Sequence, residues 1–139
     1  AGTHLHTLEG MAKVEPLHFK FDADSGFYEG EFLWHHSCEA DEHVGAYGIG
    51  QDPVCWTETG YAIGFVSGLF GQMVIFREVE CRGMGHRCCR VVGKTAEQWD
   101  DVEQDLRYLN VQSFVGSTAS APGPAPIAAA RRRWSCPWM

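Results

Sequence analysis

The chain contains little positive charge. Its 139 residues include 11 Lys and Arg against 18 Asp and Glu, a formal net charge of −7. The only basic run is Arg131-Arg132-Arg133, near the end of the chain. Because domains that bind nucleic acid normally carry a basic face, we expect no direct contact between this chain and nucleic acid.

Two sequence signatures are also missing. No GxxxxGK[ST] phosphate loop occurs, so ATP hydrolysis is not predicted. The chain starts at Ala1 without the charged and apolar regions of a signal peptide, and we therefore expect a cytoplasmic protein. One uncharged run, residues 59–76, approaches the length of a membrane span, but Gly71-Gln72 interrupts it. We expect a buried helix and then a buried strand there, and no membrane span.

Glycine and aromatic residues are abundant. The sequence has 16 glycines, 8 phenylalanines, 5 tryptophans and 4 tyrosines, and 45% of its residues are hydrophobic. Glycine permits tight turns and close approach of backbones, and aromatic side chains form large apolar walls with few polar groups. This length and composition suit one domain with a hydrophobic core.

Apolar periodicity predicts an α+β fold, in which an antiparallel sheet of hairpins packs against helices. One hairpin is predicted from strands at 12–22 and 27–35, with a bulge near Gly30. A second hairpin is predicted from strands at 73–81 and 86–92, joined by a turn at 83–85.

Three helices are predicted between and after these hairpins. The first runs from Cys38 to Tyr47 with Ser37 as its cap, the second from Asp52-Pro53 to Phe70, and the third from Thr95 to Tyr108. After these elements the composition changes to Ser, Ala, Pro and Gly. We therefore predict a folded domain over residues 1–110 and a disordered Pro/Ala-rich tail over residues 111–139.

Three cysteines and one glutamate have the chemistry of a metal site. Zinc prefers thiolate, imidazole and carboxylate ligands in a tetrahedron. Cys81 and Cys89 belong to the two arms of the second hairpin, and a bulge near Val79 would bring Glu78 to the same place. Cys55, near the start of the long helix, would be the fourth ligand. A shell closed by four protein ligands is typical of structural zinc.

Spacing alone leaves this metal site open. No CxxC pair occurs, and cysteines that are simply buried apolar residues are common, so the two interpretations have about equal support. Cys88 or His86 could also replace Cys89 as a ligand. Only one of the two adjacent cysteines can join the site, because neighbouring strand residues face opposite sides.

A more specific pattern runs from Gly48 to Lys94. It consists of Tyr47-Gly48-Ile49-Gly50, Pro53-Val54-Cys55-Trp56, Arg77-Glu78-Val79-Glu80-Cys81, Gly83-Met84-Gly85-His86 and Cys89-Arg90-Val91-Val92-Gly93-Lys94. This pattern resembles the sensor domain of the sigma-54-dependent transcription activators of aromatic catabolism, which respond to phenols, toluene or xylene. The resemblance covers about residues 1–110 and includes the 4-vinyl reductase domain signature over about residues 48–110.

The resemblance implies a structural Zn²⁺ held by three cysteines and one glutamate. The corresponding positions in this sequence are Cys55, Glu78, Cys81 and Cys89.

The resemblance also implies a phenol pocket in which a histidine and a tryptophan hold the hydroxyl of the effector, the small molecule being sensed. These two residues correspond to His6 and Trp34. The indole Nε1 can only donate a hydrogen bond, whereas an imidazole nitrogen can accept or donate, so the pair would suit a hydroxyl. The aromatic walls of the pocket correspond to Phe32, Phe65, Phe76 and Tyr61.

The expected function is therefore a regulatory domain that senses phenol or a related small aromatic compound for a sigma-54-dependent activator. It is expected to have no enzymatic activity and to act in a homodimer in the intact protein. One alternative is a structural zinc module that binds a protein partner, which predicts zinc without affinity for aromatic compounds. Another is a vinyl-reductase-type domain acting on a tetrapyrrole, which predicts a co-purifying pigment.

Overall fold

The computed structural model describes residues 3–109 and divides at Trp99 into two units. The predicted tail, residues 111–139, lies outside the described residues. In the second unit the described structure includes one helix, α4 (Glu103–Leu109). The first unit contains, in chain order, α1 (Thr3–Leu8), β1 (Lys13–Asp22), β2 (Phe27–His35), α2 (Cys38–Tyr47), α3 (Trp56–Phe70), β3 (Val74–Glu80) and β4 (Cys89–Thr95).

The four strands form one antiparallel sheet in the order β1-β2-β4-β3. Hairpins join β1 to β2 and β3 to β4, and the second connection contains a short 3₁₀ turn over Arg82–Met84. The α+β class and the antiparallel hairpins predicted from the sequence are confirmed. The helix α3 packs against β3, so the apolar side chains of α3 and of the inner sheet face form the core.

The irregular positions of the sheet differ in part from the prediction. No bulge occurs at Gly30, because side chains along β2 alternate between half-exposed or exposed and buried without a break. A register shift lies instead on β1, between Pro16 and His18. The shift predicted near Val79 is confirmed, since the register changes between Glu78 and Glu80.

The helix α2 begins and ends as predicted, whereas α3 begins later than predicted. Ser37 Oγ accepts a hydrogen bond from the Ala40 N–H at 3.1 Å and caps α2. The helix α3 begins at Trp56, and the Asp52-Pro53 pair lies before it. The Cys55 N–H donates to Glu78 Oε2 at 3.1 Å. This bond fixes the residue before α3 against β3.

The strand β4 and the segment after it also differ from prediction. β4 begins at Cys89 and continues to Thr95, and a single 3₁₀ turn over Ala96–Gln98 follows in place of a helix starting at Thr95. This turn ends at Trp99, whose Nε1–H donates to the Ile75 carbonyl at 3.3 Å.

The side chain of Trp99 is held on the outer face of the sheet. The Arg77 guanidinium lies 4.2 Å from the centre of the Trp99 ring, and the Lys94 ammonium lies 5.3 Å from it. Both distances are within the range of cation–π attraction. The last residue of the first unit is therefore fastened to β3 and β4.

The uncharged run over residues 59–76 forms most of α3 and the beginning of β3, as predicted. Among residues 3–109, none of the helices has the combination of length and apolarity that crossing a membrane requires.

Glu39 on α2 caps the start of α3. Its carboxylate accepts hydrogen bonds from the Thr57 N–H at 2.9 and 3.0 Å and from the Glu58 N–H at 3.1 Å. The negative charge also lies at the positive end of the helix dipole. The two helices are thus joined where α3 begins.

We expect Glu39→Ala to lower the free energy of unfolding by about 1–2 kcal/mol, because two N–H groups of α3 lose their acceptor. The measurement is urea unfolding followed by circular dichroism. Glu42→Ala, at an exposed position of the same helix, is the matched control and should change stability by less than about 0.5 kcal/mol. Equal effects of the two substitutions would contradict the capping role.

Candidate metal centre and apolar cavity

Four side chains meet at one end of the sheet. One ligand atom from each of Cys55, Glu78, Cys81 and Cys89 lies within 4.8 Å of the other three. The Sγ atoms of Cys55 and Cys89 are 3.5 Å apart, and those of Cys89 and Cys81 are 4.0 Å apart. Sulfur atoms bound to one tetrahedral zinc at about 2.3 Å would be about 3.8 Å apart. The spacing therefore fits a single ion.

Three chain segments supply these ligands. Cys55 directly precedes α3, Cys81 follows β3, and Cys89 begins β4. The register shift after Glu78 lets this residue share the site with Cys81. Of the two residues considered in place of Cys89, half-buried Cys88 lies outside the cluster.

His86, the other candidate, also lies outside the cluster. Its Nδ1 is 3.2 Å from the main-chain N of Cys81 and accepts a hydrogen bond from that N–H. The structure therefore uses His86 to hold the backbone beside a cluster residue.

The surroundings of the sulfur atoms combine burial with hydrogen-bond donors. The Gly83 N–H donates to Cys81 Sγ at 3.2 Å, and the Arg82 N–H donates to Cys89 Sγ at 3.4 Å. Burial raises the pKa of the Cys81 thiol to about 11. The hydrogen bond with Cys89, and then burial, raise the pKa of Cys55 well above its ordinary value.

The carboxylate of Glu78 completes the donor set. Its Oε1 is buried and has no hydrogen-bond partner among the described residues. An unpaired buried carboxylate oxygen beside three thiols is costly unless a cation compensates for it. The cluster can therefore hold a metal ion, and its mixture of thiolate and carboxylate donors fits Zn²⁺.

An apolar cavity lies beside this cluster. It has a volume of about 330 Å³ and is partly open to solvent. All six residues predicted for a ligand pocket line it, together with two more from α3; the full set is His6, Phe32, Trp34, Tyr61, Ala62, Phe65, Val66 and Phe76. This volume is at the lower end of the range for small-molecule sites.

His6 is the polar residue of special interest in this cavity. Its ring centre is 5.3 Å from that of Trp34 and 5.0 Å from that of Tyr61, and the residue is 3% exposed. Neither ring nitrogen has a hydrogen-bond partner in the part of the chain that the structure describes. Burial lowers the pKa of His6, and the charge of Glu9 opposes this only in part. The imidazole is therefore neutral near pH 7 and has a nitrogen free to accept.

Two glycines form the floor of the cavity. Gly30 on β2 and Gly93 on β4 are partners across the sheet. A Cβ added at Gly30 would lie 2.7 Å from Phe32 Cε2, and one added at Gly93 would lie 2.4 Å from Phe76 Cε1. The two phenylalanine rings, with centres 6.2 Å apart, thus occupy space that side chains at these positions would fill.

The cavity and the metal cluster share one face of the sheet. Trp34 on β2 is the cross-strand partner of Cys89 on β4. Val91, two residues after Cys89 on the same face, has Phe32 as its partner on one side and Glu78 on the other. A cavity residue and a cluster residue therefore stand side by side along this face.

Ala62 and Val66 were not anticipated in the cavity wall. They follow Tyr61 and Phe65 by one residue each, so all four lie on one face of α3. The helical spacing alone could have included them, but Ala and Val lack the aromatic character by which the pocket residues were selected. The structure also shows a buried pair, Ser37 and Glu58, that sequence reasoning had treated only as a helix cap and as the end of an apolar run.

Comparison with known families identifies the domain. The model of the 4-vinyl reductase domain family matches residues 34–95. This range includes β2, α2, α3, β3 and β4 and all four residues of the metal cluster. The chain therefore contains a domain of this family.

Three known proteins are similar over most of this chain. Transcriptional regulatory protein XylR of Pseudomonas putida is 40% identical over 115 residues, which is 83% of this chain and 20% of that protein. Phenol regulator MopR of Acinetobacter guillouiae is 32% identical over 110 residues, which is 79% of this chain and 20% of that protein. The chain thus spans about a fifth of the length of these curated relatives.

A solved structure extends this similarity. The crystal structure of the phenol-responsive sensory domain of the transcription activator PoxR, with phenol, matches with a TM-score of 0.74 and 47% identity. The match covers 76% of this chain and 53% of the PoxR chain. The chain is homologous to the sensory regions of XylR and MopR and belongs to the family of this PoxR domain, which confirms the resemblance inferred from the sequence.

We expect Gly93→Ala to destabilise the protein by about 1–3 kcal/mol, because the added methyl forces the Phe76 ring out of its position. Gly60→Ala is the matched control. Gly60 lies exposed on α3, and no atom comes within 4 Å of an added Cβ there. This control should stabilise the protein by up to about 1 kcal/mol. Thermal unfolding measures both, and a Gly93→Ala protein as stable as the wild type would contradict the proposed floor.

Proposed function

We propose that this chain is the effector-sensing part of a transcription activator and that it binds phenol or a closely related aromatic compound in the cavity beside the metal cluster. The observation that carries this proposal is His6, a buried neutral imidazole without a hydrogen-bond partner among the described residues, at the wall of an otherwise apolar aromatic cavity. Leaving such a group unsatisfied costs about 1–3 kcal/mol, which a ligand hydroxyl would recover.

Phenol has the shape and polarity that this cavity selects. Its ring suits walls formed by Phe32, Phe65 and Phe76, and its hydroxyl suits His6 and Trp34. Imidazole can accept the hydroxyl proton while the indole N–H donates to the hydroxyl oxygen. The printed descriptions of the relatives support the same class of ligand, since MopR is a phenol regulator and the PoxR domain was solved with phenol.

We further propose that the metal is Zn²⁺ and that its role is structural. Three thiolates and one carboxylate would complete a four-coordinate shell, leaving no open position for a substrate. Zinc would supply a fixed positive charge that allows these buried acidic groups to lie together. The protein would then act as a sensor without catalysis of its own.

Binding would act on the activator by favouring one of two packings of the sensor, because a ligand shifts an equilibrium only through its different affinities for the two states. The net charge of −7 supports a domain that leaves DNA contact to other parts of the protein. The homodimeric state and the cytoplasmic location stay predictions.

His6→Phe tests the proposed contact with the hydroxyl. We expect phenol affinity to fall about ten- to hundred-fold, because the acceptor is lost while the volume of the side chain is roughly kept. Toluene, which lacks the hydroxyl, should lose much less affinity. Isothermal titration calorimetry with both compounds measures the difference, and His18→Phe at an exposed position of β1 is the matched control. Unchanged phenol binding by the His6 variant would refute the assignment.

Adjacent cysteines provide a matched test of the metal site. Elemental analysis should find one zinc per wild-type chain and per Cys88→Ser chain, and much less zinc in Cys89→Ser. The Cys89→Ser protein should also melt at a lower temperature and bind phenol more weakly, because Cys89 stands beside Trp34 in the sheet. Equal zinc content in the two variants would contradict the proposed ligand set.

A further inference from the structure

A buried serine and a buried glutamate lie behind the metal cluster, and neither is one of its ligands. Ser37 and Glu58 are each 0% exposed. Ser37 Oγ is 3.0 Å from Glu58 Oε1 and 3.3 Å from Cys55 Sγ, and it also accepts from the Ala40 N–H at 3.1 Å. One hydroxyl thus meets the start of α2, the start of α3 and a proposed zinc ligand.

The hydroxyl of Ser37 has one proton for two acceptors. If Glu58 were an anion, both its Oε1 and the Cys55 thiolate would require that proton, and one of them would face an oxygen lone pair while buried. A neutral Glu58 removes this conflict. Its own O–H can donate to Ser37 Oγ, which releases the Ser37 proton to donate to Cys55 Sγ.

The environment of Glu58 favours the neutral acid. Its Oε2 is buried and has no hydrogen-bond partner among the described residues. Burial, with the nearby negative charges of Glu39 and Glu78 as smaller contributions, raises the pKa of Glu58 to about 8. Glu58 lies one helical turn before Tyr61 and Ala62 on the face of α3 that lines the cavity, so its contacts also fix the wall of the pocket.

We propose that Ser37 and Glu58 are positioning residues for the metal centre, forming a chain of hydrogen bonds in which the Glu58 carboxylic acid donates to Ser37 and Ser37 donates to Cys55 Sγ. This proposal rests on the metal site proposed above. The chain would reduce the electron density on the sulfur and fix its direction, as hydrogen bonds to the ligands of a metal commonly do.

Replacing zinc with Co²⁺ gives a readout that a purely structural role would not move. The energy of the thiolate-to-cobalt charge-transfer band depends on hydrogen bonds to sulfur. Ser37→Gly removes the hydroxyl and keeps a residue tolerated at the start of a helix. We expect a shift of this band and release of the metal to a chelator about 10-fold faster or more.

Variants of Glu58 test the direction of the chain. Glu58→Gln retains an N–H donor for Ser37 and should leave the band and the release rate near those of the wild type. Glu58→Leu removes the donor and should resemble Ser37→Gly. Glu42→Gln, at an exposed position of α2, is the control and should change neither quantity. A Glu58→Gln protein that behaves like Glu58→Leu would refute the donor role of Glu58.

The outcomes separate this inference from the metal site itself. If the wild type binds Co²⁺ in a 1:1 ratio but Ser37→Gly changes neither the band nor the release rate, the hydrogen-bond chain is wrong and the metal site stands. If the wild type binds no metal, the metal site is wrong and the chain fails with it. Should Ser37→Gly not fold, Ser37→Thr, which keeps the hydroxyl and should keep the wild-type band, and Glu58→Leu decide the question.

Discussion

The structure depends on bringing four acidic donors from distant parts of the chain to one end of a sheet. Three thiols and a carboxylate repel one another once they ionise, and burial makes each charge harder to accommodate. A cation resolves both difficulties at once. The ion would also hold the residue before α3 to the edge formed by β3 and β4, which sets the position of the helix that closes the cavity. Ligand recognition and metal binding are thus parts of one structural arrangement.

The adjacency of the two sites follows from the register of the sheet. Residues that are partners across antiparallel strands share a face, so the pairing of Trp34 with Cys89 places an indole beside a metal ligand. A change in the position of one strand would affect both sites. This arrangement explains why a sensor of a small apolar molecule would keep a metal ion that takes no part in chemistry.

Much of this could be predicted from the sequence, and the failures have physical causes. The alternation of β2 and the uncharged run over residues 59–76 predicted the strand, α3 and β3, and the resemblance pointed to the ten residues that meet around the cavity and in the cluster. The start of α3 was predicted wrongly because Pro53 is a good first helical residue, yet a bond from the Cys55 N–H to Glu78 fixes the chain before the helix. The Gly30–Gly93 floor and the Ser37–Glu58 pair depend on contacts across the sheet and between helices, which local periodicity does not encode.

The fastening of Trp99 concerns how a bound molecule could be noticed elsewhere. Its indole is tied to Ile75 and covered by Arg77, and between these two residues on β3 lies Phe76, whose ring points to the opposite side and forms part of the cavity wall. A ligand that pushed on this ring would press on the strand where the tryptophan is anchored. The segment leaving the domain thus begins a single sheet thickness away from the sensed molecule, a short lever between recognition and response.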